Sequence, residues 1–420
     1  MGTYFAFFLI LFSFYIPLLS GAFPKKPTKR LVTLWAVLSL HHCVSFYNHY
    51  IAKVFGADAD AVTFHEQAAS IAKWGGEIPF GFGSNFYQWI LGHLYSLIEP
   101  NLLLGQAIST LAFLGATIFL LKLKNLLNFK GGEIPIILLF GLEPTMLLWT
   151  SVTLREPFQI FFLLAILFYG TKWRTGGSKN DSFLCIAMFL PFGLLHNGLA
   201  VYSPFLLILL LTWNFSPRIM GRWTLSKRRV RWAGCAILLS WGVYLLMMNL
   251  PGVGALSAVQ ASKFLEYAEA YREGANIGGS SYGGVLDLSS PKGLVTSTTT
   301  LFVHYFLGPF PWEIRGIIDI PAFLTSVLRL TLVAFAFLRW RHSSGGQRNA
   351  IGFLLVVFLT LEFLWAMGTT NYGTAVRHHM VAWGIIVMLG TPDFIAACRK
   401  RLLILQGYLR KSRMVLNNNR

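Results

Sequence analysis

An all-α, polytopic membrane protein forming one integral domain over residues 1–420 is the fold class this sequence predicts, and three observations predict it. The first is composition: 55% of the residues are hydrophobic and 12% charged, against about 25% charged in a soluble domain, and mean hydropathy is +0.57. The second is the recurrence of apolar runs near the roughly 20 residues a helix needs to cross a bilayer. The third is charge. Lys and Arg fall in alternate connections: Lys25 to Arg30, Lys122 to Lys130, Lys172 to Lys179, Arg218 to Arg231, Arg339 to Arg348, and Arg399 to Arg420. Of the seventeen acidic residues only Glu133, Asp181 and Asp393 fall there. Short cytoplasmic loops are enriched in Lys and Arg, so the basic connections are expected inside and the acidic ones outside.

The runs lie at 4–23, 31–52, 101–121, 134–152, 156–171, 183–196, 198–213, 232–250, 317–338, 350–368 and 378–397, about eleven spans. The basic group follows the first run instead of preceding it, unlike a signal peptide, so that run reads as a retained helix with its N-terminus outside. Glu143-Pro144 marks a break within the fourth run. The stretch 183–213 divides at His196-Asn197, because both its flanks are basic. Arg329 and Glu362 also fall within apolar runs, where ionisable side chains are costly and face a partner or a cavity. Outer regions are expected at 53–100, 251–316 and 369–377. In the first, Thr63-Phe64-His65-Glu66 has the form of a capping box. It predicts an amphipathic helix to Trp74, stopped by Gly75-Gly76, with Phe64, Ala68, Ile71 and Ala72 on one face. That face suits either the membrane surface or the outer ends of the spans. Ser262 to Gly274 is a second amphipathic candidate, and Gly278 to Gly284 reads as a mobile loop.

The formal charge of +18 points to anionic lipid headgroups and topology. No reading face or motif for nucleic acid accompanies it. Cys43, Cys185, Cys235 and Cys398 lie in or beside apolar runs without metal spacing, as small buried hydrophobes do.

Candidate chemistry gathers in the acidic regions. Asp58 and Asp60 stand as D-x-D ahead of His65 and Glu66, an arrangement able to bind a divalent cation or to accept a proton from a sugar hydroxyl. Arg155 and Glu156 occupy a tight turn between two runs, where an arginine can clamp a phosphate. Alternatives are an Arg155–Glu156 interaction and snorkelling. Phe310-Pro311-Trp312-Glu313-Ile314-Arg315 makes an aromatic shelf suited to a sugar ring or to the interfacial belt. Arg377 opens the last run, followed by His378 and His379, whose side chains point about 100° apart on a helix, which is poor geometry for joint metal ligation. His196 lies at the same expected depth.

These residues resemble the multi-spanning GT-C glycosyltransferases that use polyprenyl-phosphate sugars, with Asp soon after a membrane helix and then a surface helix. Leu154-Arg155-Glu156-Pro157, the Phe310-Pro311-Trp312 shelf and Gly373-Thr374-Ala375-Val376-Arg377-His378 are similar to bacterial O-antigen and exopolysaccharide polymerases. The resemblance implies a cell-surface polysaccharide transferase or repeat-unit polymerase in the bacterial inner membrane, with its active site facing the periplasm. It implies that Asp58 or Asp60 acts as base, and that polyprenyl-linked glycans are substrates. His65, Glu66, Arg155, Glu156, His196, Trp312, Arg315, Arg377 and His378 form the candidate binding set. A divalent cation is the candidate cofactor, and polysaccharide-assembly proteins are the candidate partners. This chain carries one span more ahead of the first outer loop than the family pattern. The rival class is a flippase or transporter, which needs polar groups lining a path from both faces. Here they collect on one.

Overall fold

The computed structural model describes residues 1–23, 27–54, 58–74, 80–215, 281–282, 287, 290–314, 316 and 319–418. Among the described residues the chain is helical, and one isolated bridge, Ser281 with Asn371, is the sole extended pairing. The helices are α1 (Gly2–Ser13), α2 (Ile16–Leu19), α3 (Lys29–Tyr50), α4 (Asp58–Trp74), α5 (Ser84–Leu97), α6 (Leu102–Leu126), α7 (Glu133–Leu142), α8 (Pro144–Trp149), α9 (Glu156–Arg174), α10 (Lys179–Leu194), α11 (Asn197–Thr212), α12 (Pro291–Leu307), α13 (Asp319–His342), α14 (Gly345–Gly368) and α15 (Tyr372–Asn418). Four are long and apolar enough to cross a membrane: α6, α13, α14 and the Tyr372–Ile404 part of α15. Apolar helices α1, α7 and α11 are shorter.

Local chemistry explains the boundaries. Asn101 caps α6 by accepting from Leu104 N at 3.2 Å, and Ser178 and Asp181 form a capping box on α10. Glu143 ends α7 and begins α8, its carboxylate accepting from Met146 N at 2.9 Å. Pro144 follows at the first helical position, where its missing N–H costs nothing. His196 separates α10 from α11 and caps the latter, its Nδ1 accepting from Gly198 N at 3.0 Å. Both expected breaks are therefore present.

Several expectations are corrected. The first apolar run is broken after Ser13, and α2 carries Pro17 in its first turn. Helix α4 starts at Asp58, so Asp58 and Asp60 lie in its first turn instead of before it, and Thr63–Glu66 is helix interior. Its stripe of Phe64, Ala68 and Ile71 is buried. Ile71 crowds Gly92 of α5, so the face is covered by protein. The region 251–316 contains α12, packed on α13 and α14 through Leu301, Tyr305 and Phe306. Within the Gly278–Gly284 run, Ser281 and Tyr282 are strapped down: Tyr282 N donates to Thr370 O at 3.0 Å and its hydroxyl to Thr369 O. The remaining residues of that run, the 232–250 run, Ser262 to Gly274, Cys235 and Arg315 lie outside the described residues.

Helices α6 and α15 form the centre. Met380 to Leu389 of α15 are buried almost without interruption, as are Leu103, Leu104, Leu114, Leu120 and Leu123 of α6. Helix α13 packs on α15, and its buried residues Ser326, Arg329, Leu332 and Ala336 lie three or four apart on one face. Its Ile320, Leu324, Val327, Phe337 and Leu338 are exposed, as they would be against lipid.

The charge pattern becomes geometry. At one end of the bundle the basic connections touch: Lys124 meets Glu133 at 2.9 Å and Lys172 meets Asp181 at 2.8 Å. Arg174 donates to Trp213 O at 3.1 Å and Arg339 to Leu389 O at 3.1 Å. At the other end the acidic connections meet. Gly83 N donates to Leu194 O at 2.8 Å, and Arg377 reaches both Asp60 and Glu156.

Candidate functional site

Arg377 organises the acidic end. It lies in the second turn of α15, whose first turn follows the Thr369–Asn371 segment strapped to Tyr282. Its Nη2 and Nε donate to Glu156 Oε1 at 2.6 and 3.1 Å, and its Nη1 donates to Asp60 Oδ2. One guanidinium thus ties together α15, the first turn of α9 and the first turn of α4. The fork geometry of arginine, with donors on two sides of one plane, permits this, whereas an ammonium would hold a single point. Glu156 is 4% exposed and Asp60 47%. Glu156 Oε2 is buried and lacks a hydrogen-bond partner among the described residues. Acidic groups near helix N-termini are favoured by the backbone dipole, and Asp60 and Glu156 both sit there.

Arg155 is the residue before α9 and adjoins the same cluster. It lies within electrostatic reach of His196 and His378, as does Arg377. Its Nη1 is 3.2 Å from where a Cβ on Gly83 would stand, and Gly83 has φ +73°. Gly83→Ala is therefore expected to strain the backbone by about 1–3 kcal/mol and to displace the guanidinium. A thermal-unfolding midpoint below that of wild type would show the strain.

Beside the arginines stand His196, Trp365 and His378. The His378 ring stacks on Trp365 at 4.1 Å, and the His196 ring meets the same indole edge-on at 4.6 Å. His378 Nδ1 is 2.8 Å from Thr369 Oγ1. Trp365 Nε1, Asn197 Oδ1 and Thr370 Oγ1 are buried without partners among the described residues. Buried polar groups are normally satisfied, so this concentration of orphaned donors and acceptors is what a ligand-binding pocket presents.

The structure brings Asp60, Arg155, Glu156, His196, Arg377 and His378 into this one region. Three other candidates lie elsewhere. His65 faces α5, its Nδ1 3.0 Å from the Tyr95 hydroxyl, and burial holds its imidazole below the ordinary histidine range. It is neutral at pH 7. Glu66 is exposed on α4. Trp312 is 79% exposed and stacks on Phe310 at 5.0 Å. Its shelf is joined to α15 by Glu313, which accepts from the Tyr372 hydroxyl at 2.6 Å. Glu156, considered from sequence as an alternative partner of Arg155, is paired with Arg377. Among the described residues no three His, Cys, Asp or Glu side chains group to hold a metal.

Trp365 and Thr369 were not singled out from sequence. A tryptophan in an apolar run carries no mark separating a site wall from an interfacial anchor. Comparison with protein-family models, with curated proteins and with solved structures finds no match.

Proposed function

We propose that this protein is an outer-face membrane glycosyltransferase using a polyprenyl-(pyro)phosphate-linked sugar in cell-surface polysaccharide assembly, with repeat-unit polymerisation as its specific form. The observation that carries the reading is Arg377 bridging Asp60 and Glu156, with Arg155 alongside, at the acidic end of an apolar bundle. In this reading the bundle has about eleven spans in a bacterial inner membrane, and the acidic end faces the periplasm because the basic loops stay inside.

A polyprenyl-linked donor presents its phosphate at headgroup depth and its sugar just beyond. The phosphate competes with the carboxylates for the guanidinium of Arg377. Its arrival releases Asp60, the more exposed of the two, while Glu156 keeps Arg377 in place. Asp60 then takes the proton from the attacking hydroxyl. The hydroxyl oxygen bonds to the anomeric carbon as the carbon–oxygen bond to phosphate breaks. The departing negative charge falls on Arg377 and Arg155. A divalent cation recruited to Asp60 would have to displace Arg377, and the two arginines already supply positive charge where the phosphate leaves. Trp312, with one face on Phe310 and the other open, suits the acceptor sugar. Polysaccharide-assembly proteins are the partners this role calls for.

The scheme is a single displacement, so it predicts inversion at the anomeric carbon. Proton NMR of donor and product reads this directly, through the coupling of the anomeric proton. Retained configuration would eliminate Asp60 as a base in a one-step reaction.

A further inference from the structure

Beneath the arginine cluster lies a second polar group, and glycosyl transfer does not use it. His379 Nδ1 is in hydrogen-bond contact with Glu362 Oε2, and His379 Nε2 is 3.1 Å from the Tyr305 carbonyl oxygen. The histidine side chain is 7% exposed and the glutamate 0%. A carbonyl oxygen only accepts, so Nε2 carries a hydrogen. The other ring nitrogen then faces a carboxyl group, and the contact is attractive only when one proton lies between them. Either Nδ1–H donates to the carboxylate, or the carboxylic O–H donates to Nδ1. Both forms hold the same number of protons and are neutral as a pair. Without that proton, a nitrogen lone pair would face a carboxylate oxygen in a low-dielectric interior.

The surrounding groups are fixed. From α13, Arg329 is 2% exposed and donates to Phe306 O at 2.7 Å and Ser326 Oγ at 3.1 Å. From α12, the Tyr305 ring lies 4.3 Å from the His379 ring. Glu143 is within electrostatic reach of Arg329, but its carboxylate is already occupied by Met146 N and the hydroxyls of Thr145 and Thr325. His378, next along α15, is turned to Trp365. Three atoms of the cluster are buried without a close hydrogen-bond partner among the described residues: Glu362 Oε1, Arg329 Nε and the Tyr305 hydroxyl, which faces the Glu362 carboxyl group. They are one acceptor, one donor and one group able to do either, the set that holds a buried water.

We propose that Glu362 and His379 form an intramembrane binding site for one exchangeable proton, with a water held by Glu362, Arg329 and Tyr305 as its route of exchange. Glu362 lies six residues before the end of α14 and His379 seven residues beyond the start of α15. The site is therefore about 10 Å below the acidic end, at 1.5 Å per residue. Ionisable residues inside a membrane that face partners in this way mark proton and ion paths. The proton leaves the Nδ1–Oε2 contact for the water, the pair is left with one negative charge, and the proton returns from the acidic end. No other bond changes. Losing the proton forces α14 and α15 apart at this point, and Arg377 sits two residues away on α15. The proton thus governs how firmly that arginine is seated.

The test is infrared difference spectroscopy between acidic and alkaline samples of the full-length protein in lipid nanodiscs, with ring-labelled histidine, for wild type, Glu362→Gln and His379→Gln. The amide introduced by E362Q can donate to Nδ1 but carries no titratable proton, so that variant is expected to insert and remain monodisperse. Wild type is expected to show a carboxyl band and an imidazole band that change together, both lost in each variant. A carboxyl band surviving in H379Q, an imidazole band surviving in E362Q, or no such pair of bands in wild type would overturn the proposal. If H379Q fails to insert, the imidazole band of E362Q decides alone.

Discussion

Arg377→Ala is expected to remove glycan synthesis and to lower stability by about 3–5 kcal/mol, the usual cost of taking one partner from a buried ion pair. The reason is Glu156, which is 4% exposed and holds Arg377 through one oxygen while its other oxygen is already orphaned. Without the guanidinium a buried carboxylate has no counter-charge, and three elements lose their common tie. Arg377→Lys separates charge from geometry. Lysine keeps the positive charge but reaches one carboxylate at a time, so most of the stability should return and little of the activity. Thermal unfolding in detergent and glycan yield measure the two quantities. Full activity in the lysine variant would show that the fork is dispensable.

Asp60→Asn should behave in the opposite way. Asp60 is about half exposed, so its pair with Arg377 is well solvated and should be worth no more than about 1 kcal/mol. Asparagine still accepts from Nη1 but takes no proton. Turnover should fall by about 10²–10⁴, the range that a positioned base supplies, while donor binding and the unfolding midpoint stay near wild type. Titration of binding beside single-turnover rates separates the two. A loss confined to binding would assign Asp60 to positioning the arginine.

Much of the architecture was legible because it rests on one-dimensional signals. Alternation of basic and acidic connections predicted two chemically distinct ends, and the contacts Lys124–Glu133 and Arg377–Glu156 realise them. Glu143-Pro144 and His196-Asn197 announced breaks through proline geometry and capping chemistry. Helix α12 was hidden because Thr296-Ser297-Thr298-Thr299-Thr300 is poor in helix propensity, and packing of Leu301, Tyr305 and Phe306 overrides it. The site was legible in its members but not in its pairings. Asp60 and Arg377 are 317 positions apart, and nothing in a single sequence says which outer carboxylate meets which arginine. Glu362 stood out only as a costly ion in an apolar run, and His379 only as one of an adjacent histidine pair. Their shared proton follows from the Tyr305 carbonyl, which fixes the tautomer and is supplied by a helix the sequence did not reveal.

The most direct test of the central claim is to follow lipid-linked donor and surface glycan in a deletion strain complemented with wild type, Asp60→Asn or Arg377→Lys, each first shown to insert in the membrane. An outer-face transferase predicts that surface glycan is lost, or stalls at one repeat unit, while the lipid-linked donor accumulates accessible to a probe added from outside. Donor trapped on the inner leaflet, with no outer accumulation, would contradict the account and identify a flippase.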